Sequence, residues 1–572
     1  MEQINEVVEA SNPAAQEVAL EYLAAFYTRR DVAQFLTDWA IVDVDCTVLD
    51  FSYGGCSFLN ASLTTLQERG NPCPATQIYG VDIDALATSY LQELFAAGAS
   101  AEQFVCRDFF DLEPSDLAGF PFGAVTGNPP YIRYHDIPEA LRMRAEARLR
   151  QYGIEISGRA SYWAFFLLYS IMFLRPGGRL ALVLPGSFIH TDYSVQIREL
   201  LVSQFERVNI ILLQERIFKG TQEESVIVCA EGAGRPNKSL RIGMASTVEE
   251  LQDVLSNLDD RTSELGSEVD DKEWLGALIE EDALELYGQL TDEPHSVKLG
   301  DVLVARIGVV TGNNNYFIPS PQTLAQKNLP TSDLIPIIRR PIYFKGVAVT
   351  DEDLAFLRDS GKAHLLLTPP RNKSAMKRTT RSYIDEGEEA GINEAVKCKT
   401  RKPWYVVPHT EAPAAFMPCM VASWPRLVVN NSSFTCTNNI LKLKWKEERP
   451  NSDWTRLALG TMSTLSQLSA ELVGRSYGGG VLKVEPTELK RLVVPLLSAE
   501  AADRIGGQVD SFLRENRVNE AIDTVDTALV AEMPGLTPSG LTHLRNARNQ
   551  LFLRRRQHRR DAERIVGLQG TE

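Results

Sequence analysis

Asn128-Pro129-Pro130-Tyr131 follows directly after an apolar run, Phe122 to Gly127, that predicts a short buried strand. The two prolines fix their own φ angles and lack N–H donors, so the turn exposes carbonyl oxygens. The residue before a proline is held extended, which directs the side chain of Asn128 away from the sheet. The turn therefore combines an amide oxygen, a backbone oxygen and an aromatic ring. That combination suits a flat ligand that carries an amine.

The chain on either side of this turn alternates between predicted strands and predicted helices. We predict strands over 48–50, 78–82, 104–106, 124–125, 179–184, 208–213 and 225–229, and helices over 59–68, 85–96, 140–151, 160–174 and 194–205. Such alternation predicts a parallel sheet with helices on both faces. No helix separates the last two strands, so we expect them to pair antiparallel.

Charge is distributed unevenly along the 572 residues. The formal net charge is −16, but residues 249–293 alone hold 16 acidic and 2 basic residues. Basic clusters lie over 371–381 and 397–402, and Trp404 and Tyr405 follow the second cluster directly. Basic runs are most often solvated faces, but cations beside aromatic rings also suit phosphate contact combined with base stacking. The acidic total therefore does not exclude a nucleic-acid partner.

The remaining composition indicates a protein of the cytoplasm. The longest apolar run, residues 162–174, is too short to cross a bilayer, and the acidic N-terminus has no signal-peptide pattern. The eight cysteines show no C-x-x-C spacing, which favours reduced thiols. The seven histidines show no metal-binding spacing, so we expect no bound metal. The short apolar runs predict that the protein has no membrane partner.

Shifts in composition predict four segments. They are a first domain over residues 1–243, an acidic helical connector over 244–296, a mixed α+β domain over 297–499 and a helical segment over 500–572. The third segment is rich in short β-like runs, proline, asparagine and aromatic residues. The last segment has the pattern of amphipathic helices.

Polar residues stand at the ends of four successive predicted strands. They are Asp50, followed by Ser52 and Gly54; Asp82; Asp108, followed by Phe109; and Asn128. Ligands of an open α/β sheet bind at the carboxyl ends of its strands, and an acid after the second strand commonly binds the ribose hydroxyls. Each acid alone is more often a helix cap or a solvated strand end. Four in succession predict an adenosine pocket beside a pocket for a planar amine.

With these motifs the chain resembles the TaqI-like, γ-group N6-adenine DNA methyltransferases of bacterial restriction–modification systems, over roughly residues 20–495. The resemblance rests on five motifs. Tyr27 and Thr28 are similar to the family's N-terminal cofactor motif, residues 48–59 to its first cofactor motif, residues 80–84 to its acidic motif, Asp108-Phe109 to its adenine contact and residues 128–131 to its catalytic motif. Phe218 matches the aromatic residue that stacks on the extruded base.

The resemblance implies a Rossmann-like class I methyltransferase domain over residues 1–243, with a seven-stranded, mostly parallel sheet. It also implies a target-recognition domain over 297–499. The implied cofactor, S-adenosyl-L-methionine, is bound by Tyr27, Thr28, Asp50, Ser52, Gly54, Asp82, Ile83, Asp108 and Phe109. Asn128, Pro129, Pro130, Tyr131 and Phe218 then act on an adenine flipped out of double-stranded DNA. The implied DNA contacts are Asn313, Lys399, Arg401, Lys402, Trp404, Tyr405 and Tyr477.

Three positions depart from the family's motifs. Arg29 stands where the N-terminal motif usually has proline. Phe51 stands where the first cofactor motif has proline, and Cys56 replaces the second glycine of that motif. The catalytic tetrapeptide is intact.

Other functions stay open at this stage. The same tetrapeptide serves methyltransferases that modify RNA or a protein glutamine, although those chains are usually shorter and lack a region like residues 297–495. A DNA-binding subunit with an idle methyltransferase fold is favoured by the altered first cofactor motif and opposed by the intact tetrapeptide. For the enzyme we expect a monomer, with a cognate restriction endonuclease as a separately encoded partner.

Overall fold

The computed structural model of the chain describes residues 28–156, 159–215, 217, 225–237, 239–265, 273–362, 364–477 and 481–566. The chain divides into two units. The first unit comprises residues 1–278 and 554–572, and the second unit comprises residues 279–553.

The first unit alternates strands and helices as the sequence predicts. Its strands are β1 (Val48–Asp50), β2 (Ile78–Asp82), β3 (Phe104–Cys106), β4 (Phe122–Gly127), β5 (Leu174–Pro185), β6 (Arg207–Leu213), β7 (Ser225–Glu231), β8 (Ser239–Ala245) and β9 (Thr262–Leu265). Its helices are α1 (Arg30–Ala40), α2 (Ser57–Glu68), α3 (Gln92–Ala96), α4 (Glu139–Gln151), α5 (Tyr162–Ser170), α6 (Ser187–His190), α7 (Asp192–Gln204), α8 (Val248–Ser256), α9 (Leu258–Arg261) and α10 (Glu273–Gly276).

These strands form one sheet in the order β3-β2-β1-β4-β5-β7-β6-β8-β9. β1 pairs parallel with β2 and β4, and β2 pairs parallel with β3. The predicted antiparallel pairing of the last two strands is confirmed, because β6 and β7 run antiparallel over their whole length. The carboxyl ends of β1 to β4 therefore lie along one edge of the sheet.

The prediction of a seven-stranded sheet is wrong, because the sheet has nine strands. β8 pairs parallel with β6, and β9 pairs antiparallel with β8. The alternation that makes β8 a strand is short: Leu240 and Ile242 are buried, whereas Arg241 between them is not. β9 (Thr262–Leu265) lies inside the acidic stretch. Only its first and last residues are buried, so its sequence does not alternate between apolar and polar residues as a predicted strand does.

Helices cover the sheet through apolar faces of two kinds. Val32, Leu36 and Ala40 of α1 lie four residues apart and belong to the same buried cluster as the inner residues of α2. All nine residues of α5 are buried, which agrees with its continuous apolar sequence. A helix that is apolar on every side must be covered on every side, so α5 lies within the core of the first unit.

The second unit contains several small sheets. Its strands are β10 (Ser296–Lys298), β11 (Leu303–Ile307), β12 (Leu334–Ile338), β13 (Ala348–Thr350), β14 (His364–Leu367), β15 (Ala415–Pro418), β16 (Met420–Val421), β17 (Val428–Asn431), β18 (Thr435–Cys436), β19 (Ile440–Trp445), β20 (Arg475–Tyr477), β21 (Val481–Lys483) and β22 (Val493–Pro495). The largest of these sheets has five strands in the order β11-β19-β15-β17-β13.

Helices lie between these strands in the sequence and follow the last of them. They are α11 (Glu281–Asp292), α12 (Leu299–Val302), α13 (Asn314–Phe317), α14 (Pro321–Lys327), α15 (Asp351–Asp359), α16 (Arg378–Glu389), α17 (Val396–Lys399), α18 (Asn451–Gly460), α19 (Thr464–Val473), α20 (Pro486–Arg491), α21 (Ala499–Arg514), α22 (Val518–Glu532) and α23 (Pro538–Val566). Within the parts of the chain that the structure describes, no helix is both long enough and apolar enough to span a membrane.

Ile242 tests whether β8 belongs to the sheet. Its side chain is 1% exposed, and its partner in β9 is Ser263. We expect Ile242→Ala to lower the free energy of unfolding by about 2–4 kcal/mol, because it removes buried methyl groups and leaves a cavity. Urea denaturation measures this, with the exposed Ser263→Ala as the matched control. A loss below about 0.5 kcal/mol, typical of surface positions, would contradict the placement of β8.

Candidate active site

The loops that follow β1, β2 and β4 are joined by hydrogen bonds at the carboxyl edge of the sheet. The Gly54 N–H, after β1, donates to Asp82 Oδ2 at the end of β2 over 2.8 Å. The Ser52 hydroxyl donates to the carbonyl oxygen of Asn128, after β4, over 3.2 Å. The structure therefore brings together residues that the sequence had placed on separate predicted strands.

The β1 loop reaches α2 through two left-handed residues. Gly54 has φ 41°, and Cys56, the N-cap of α2, has φ 62°. A left-handed conformation favours glycine, because any side chain at that φ crowds the backbone. The family's usual glycine therefore matches the backbone of this loop, and Cys56 adopts the same conformation with a buried side chain. Burial, together with the charges of Asp50 and Asp82, raises the pKa of its thiol to about 12, so the thiol stays protonated.

Asp50 is packed against the strand that leads into the tetrapeptide. Its side chain is 1% exposed, and its Oδ1 accepts the Ser52 N–H over 3.0 Å. A Cβ atom on Gly127, where φ is 158°, would lie 3.0 Å from the same oxygen. Glycine at the end of β4 therefore lets the carboxyl group approach the backbone just before Asn128. Burial raises the pKa of Asp50 to about 8, and the charge of Asp82 adds to this shift.

Asp82 is held in a fixed orientation by backbone donors. Its Oδ2 accepts from Gly54, and its Oδ1 accepts the Asp84 N–H over 2.8 Å. Burial raises its pKa even though these hydrogen bonds oppose the shift. Neither Asp50 nor Asp82 has an ion-pair partner among the described residues. A buried carboxyl group beside a partly buried one, with no protein cation paired to either, suits a cationic ligand. Ile83 follows, half-buried.

Asp108, after β3, has a different environment. Its Oδ1 accepts the Phe110 N–H over 3.0 Å, and its Oδ2 lies 2.9 Å from a guanidinium nitrogen of Arg144 on α4. The sequence contained no signal for Arg144 as a site residue, because α4 carries several arginines and nothing in their spacing marks the one that contacts Asp108. Burial raises the pKa of Asp108, whereas Arg144 lowers it.

Phe109 lies inside an aromatic cluster. It is 2% exposed, and its ring centroid lies 5.3 Å from that of Phe51, 5.6 Å from Phe166 and 4.9 Å from Phe173. Phe51, which replaces the proline of the family's first cofactor motif, therefore stacks on the residue of another cofactor motif. The cluster forms an apolar floor behind the loops that follow β1 and β3.

The tetrapeptide lies at the end of β4 with its side chains differently exposed. Asn128, Pro130 and Tyr131 are half-buried, and Pro129 is buried. The Tyr131 hydroxyl donates to the carbonyl oxygen of Val183 on β5 over 3.1 Å, which holds the ring relative to the sheet. The ring also packs against the buried cluster of the first unit, so both contacts restrain it.

The N-terminal motif meets the first cofactor motif at the start of α2. The carbonyl oxygen of Thr28, which is buried, accepts from the Ser57 hydroxyl over 2.9 Å. Arg29, the departure from the family's proline, pairs with Asp31 over 2.6 Å and also with Glu215. Tyr27 and Phe218, the other predicted site residues of the first unit, lie outside the described residues.

The predicted DNA contacts lie in the second unit. Several of them make hydrogen bonds or pack against other residues of that unit. Arg401 donates to the carbonyl oxygens of Thr311 and Val310, and Tyr405 is 4% exposed. Trp404 packs against buried clusters and donates to Glu388 over 2.8 Å. Asn313 caps α13 by accepting the Tyr316 N–H over 3.1 Å.

Two predicted cations of the second unit are exposed, namely Lys399 and Lys402. Lys399 lies 2.9 Å from Glu394. Tyr477 ends β20. Over the described part of the chain, no group of three or more His, Cys, Asp or Glu side chains is arranged to hold a metal ion.

Cys56 tests the left-handed bend of the cofactor loop. We expect Cys56→Gly to be more stable than Cys56→Ala by about 0.5–1 kcal/mol, because both lose the buried thiol but only glycine relieves the positive φ. Urea denaturation of the two variants measures the difference. Within an ordinary helix the order is reversed, so a more stable alanine variant would contradict the left-handed conformation.

Comparison with known proteins accounts for most of the chain. Residues 15–246 match the family model described as N-6 DNA Methylase, and residues 271–530 match the model described as the C-terminal domain of the type II methyltransferase M.Eco57I. The type II methyltransferase M.AccI of Acinetobacter calcoaceticus is 22% identical over 86% of this chain and 90% of its own length. M.XamI of Xanthomonas campestris pv. amaranthicola is 22% identical over 83% of this chain and 85% of its own length.

Solved structures show the same fold. The type ISP restriction–modification enzyme LlaGI, determined with a DNA substrate mimic, superposes with a TM-score of 0.51 and 12% identity over 88% of this chain. The superposed region covers 57% of the LlaGI chain. Residues 15–246 are thus similar to the N-6 DNA methylase family, and the type II methyltransferase relatives of the chain support a DNA methyltransferase of a restriction–modification system.

Proposed function

We propose that this protein transfers a methyl group from S-adenosyl-L-methionine to N6 of an adenine that is turned out of double-stranded DNA. The observation that carries this proposal is the tetrapeptide of residues 128–131 at the end of β4, tied to the β1 loop through Ser52. The motif order supports the TaqI-like γ group, because Thr28 precedes the sheet and contacts the start of α2. In this role the protein is the modification enzyme of a restriction–modification system.

The tetrapeptide acts by orienting the nucleophile. The lone pair of adenine N6 is delocalised into the ring, which makes the amine a weak nucleophile. Hydrogen bonds from both N6 hydrogens, accepted by Asn128 Oδ1 and the Pro129 carbonyl oxygen, localise that lone pair and direct it toward the methyl group. In-line displacement would form the bond from N6 to the methyl carbon as the bond from that carbon to the donor sulfur breaks and leaves its electron pair on sulfur, and the extra proton on N6 would leave afterwards to water. The methyl group is already electrophilic in the donor, so no metal is required.

The residues around the strand ends fit this donor. Asp50, which is buried, and Asp82, which is partly buried, supply two carboxyl groups that suit the positive charges and the ribose hydroxyls of the donor. We also assign Thr28, Ser52, Gly54 and Ile83 to this donor pocket, and Phe109 with its aromatic neighbours to its apolar wall. When bound, the donor supplies an activated methyl group. The protein residues bind and orient it and exclude water.

Base capture is assigned to aromatic rings. A duplex hides N6 within the base stack, so the adenine must be turned out at a cost of a few kcal/mol. Stacking on Tyr131 and Phe218 returns about 1–3 kcal/mol for each ring. The hydrogen bond from the Tyr131 hydroxyl to β5 supports this assignment, because it orders the ring in advance.

The second unit is proposed to recognise the target. The match of residues 271–530 to a type II methyltransferase C-terminal domain supports this, as do the exposed Lys399 and Lys402. The boundaries at residues 243, 296 and 499 remain part of the proposal, as do a monomeric state and a separately encoded endonuclease.

Asn128→Ala tests the orienting role. We expect methylation of unmodified DNA to fall by about 100-fold or more in turnover, because electrostatic orientation of N6 is lost. Donor binding should change little. Radiolabelled methyl transfer followed by nucleoside analysis measures the rate and identifies the product. N6-methyladenine at a single site supports the proposal. Methylated RNA or protein instead of DNA, or an unchanged rate in the variant, would overturn it.

Tyr131 separates base capture from chemistry. We expect Tyr131→Ala to weaken binding of duplex DNA that contains the target adenine by about 10- to 100-fold, through the loss of stacking. Tyr131→Phe is the matched control, because it keeps the ring and removes only the hydroxyl. The defect should shrink on DNA in which the target adenine is mispaired, since that base is already unstacked. Equal losses on paired and mispaired DNA would contradict the role in capture.

Asp50→Asn tests the buried charge. In the folded protein the pKa of Asp50 is about 8, above its ordinary value of 3.8, so wild-type stability without donor falls as pH rises between these values. We expect the variant to escape this loss and to exceed wild type by on the order of 1–3 kcal/mol near pH 8, but to bind the donor more weakly. Urea denaturation across pH measures the effect, with the exposed Asp45→Asn as control. Parallel pH profiles for wild type and Asp50→Asn would exclude a buried titrating carboxyl group.

A further inference from the structure

Arg144 contacts a predicted cofactor residue although no motif includes it. Its guanidinium lies 2.9 Å from Asp108 Oδ2 and 3.0 Å from Asp111 Oδ2. The side chain of Asp108 is 5% exposed, whereas those of Arg144 and Asp111 are 42% and 41% exposed. The pair therefore joins a buried carboxyl group to a solvated cation on α4.

The two oxygens of Asp108 have distinct partners. Oδ1 accepts the Phe110 N–H, and Oδ2 accepts from Arg144. An ionised carboxylate has about four lone-pair sites, so these two bonds leave acceptor capacity for a ligand. A protonated carboxyl group gains an O–H donor and loses part of that capacity. The charge on Asp108 therefore decides which hydrogen-bonding edge of a purine it recognises.

We propose that Arg144 is a positioning residue that keeps Asp108 ionised and thereby makes the donor site selective for a 6-amino purine. The inference rests on the proposed function, because it assigns Asp108 to the adenine ring of the donor. Arg144 acts through Asp108 and does not contact the ring. An ionised Asp108 accepts a hydrogen bond from the 6-amino group and repels the oxygen of a 6-oxo purine. A protonated Asp108 distinguishes the two poorly.

The groups that face Asp108 explain why a cation is needed. Burial raises its pKa, and the negative charge of Asp111 raises it further. Tyr162, at the start of α5, is buried near Asp108 and adds no positive charge. The Phe110 N–H and Arg144 oppose these effects, and Arg144 is the cation among them. Removal of Arg144 therefore moves the pKa of Asp108 upward, and removal of the Asp111 charge moves it downward.

The test compares S-adenosylhomocysteine with its 6-oxo analogue, S-inosylhomocysteine, by calorimetric titration of the full chain from about pH 8 down to about pH 5, because burial raises the pKa of Asp108 above its ordinary value of 3.8. Wild type should bind the amino compound at least about tenfold more tightly at the upper pH, because the site rejects a mismatched hydrogen-bonding edge. Its affinity for the amino compound should fall as pH drops through the pKa of Asp108.

Two substitutions should move that pH profile in opposite directions. Arg144→Gln should shift its midpoint upward and reduce the discrimination by about fivefold or more at the lower end of this pH range, whereas Arg144→Lys should retain most of it. Asp111→Asn should shift the midpoint downward. Arg150→Gln is the matched control, because Arg150 lies on the same helix and pairs only with Glu146 over 3.3 Å among the described contacts.

The opposite shifts separate this role from a structural one. A merely structural arginine would lower the affinity for both compounds equally and leave the midpoint in place, and that result would overturn the inference. Failure of wild type to prefer the amino compound at any pH would also overturn it. Should Arg144→Gln fail to fold, the downward shift in Asp111→Asn still decides the question. DNA methylation by wild type, measured separately, reports on the proposed function alone.

Discussion

The parallel pairing of β1 with both β2 and β4 is the constraint on which the candidate site depends. It aligns Asp50 with Gly80 on one side and with Thr126 on the other, so three strand ends lie side by side. The Gly54–Asp82 and Ser52–Asn128 hydrogen bonds then join the loops across these strands. The contact between Asp50 and Gly127 requires glycine at the last residue of β4, because a Cβ there would crowd the carboxyl group. A change in this pairing would separate the cofactor residues from the tetrapeptide.

Unbalanced charge distinguishes this edge of the sheet from the rest of the first unit. Elsewhere, acids such as Glu231 pair with arginines at ordinary distances. Asp50 is buried and Asp82 is partly buried, and neither has such a partner among the described residues, which costs stability unless a ligand supplies positive charge. Asp108 differs, because a cation from α4 reaches it. The three acids of the proposed donor site thus have different electrostatic roles, although each stands at or just after the end of a strand.

The three residues that depart from the family's motifs each adopt a conformation or make contacts that the local structure accommodates. Cys56 takes the left-handed conformation that glycine usually provides, and Phe51 stacks on Phe109. Arg29 replaces a proline and gains two carboxylate partners. At each of these positions the side chain differs from the family's usual residue, but the hydrogen bonds between the loops are still formed. This agrees with the match of residues 15–246 to the N-6 DNA methylase family.

The sequence by itself determined the α/β class, the strands from β1 to β7, and the candidate residues Asp50, Asp82 and Asn128, because these depend on local periodicity and on short motifs. It did not predict β8 and β9. Their short hydrophobic patterns are too weak to indicate strands, and they form strands by pairing with the edge of the sheet, β8 with β6 and β9 with β8. Only the tertiary structure selected Arg144 from the arginines of α4, since the choice depends on which side chain faces Asp108. It also placed Tyr405 and Arg401 within the second unit's own packing, because burial is a property of the assembled chain and not of a basic run beside aromatic residues.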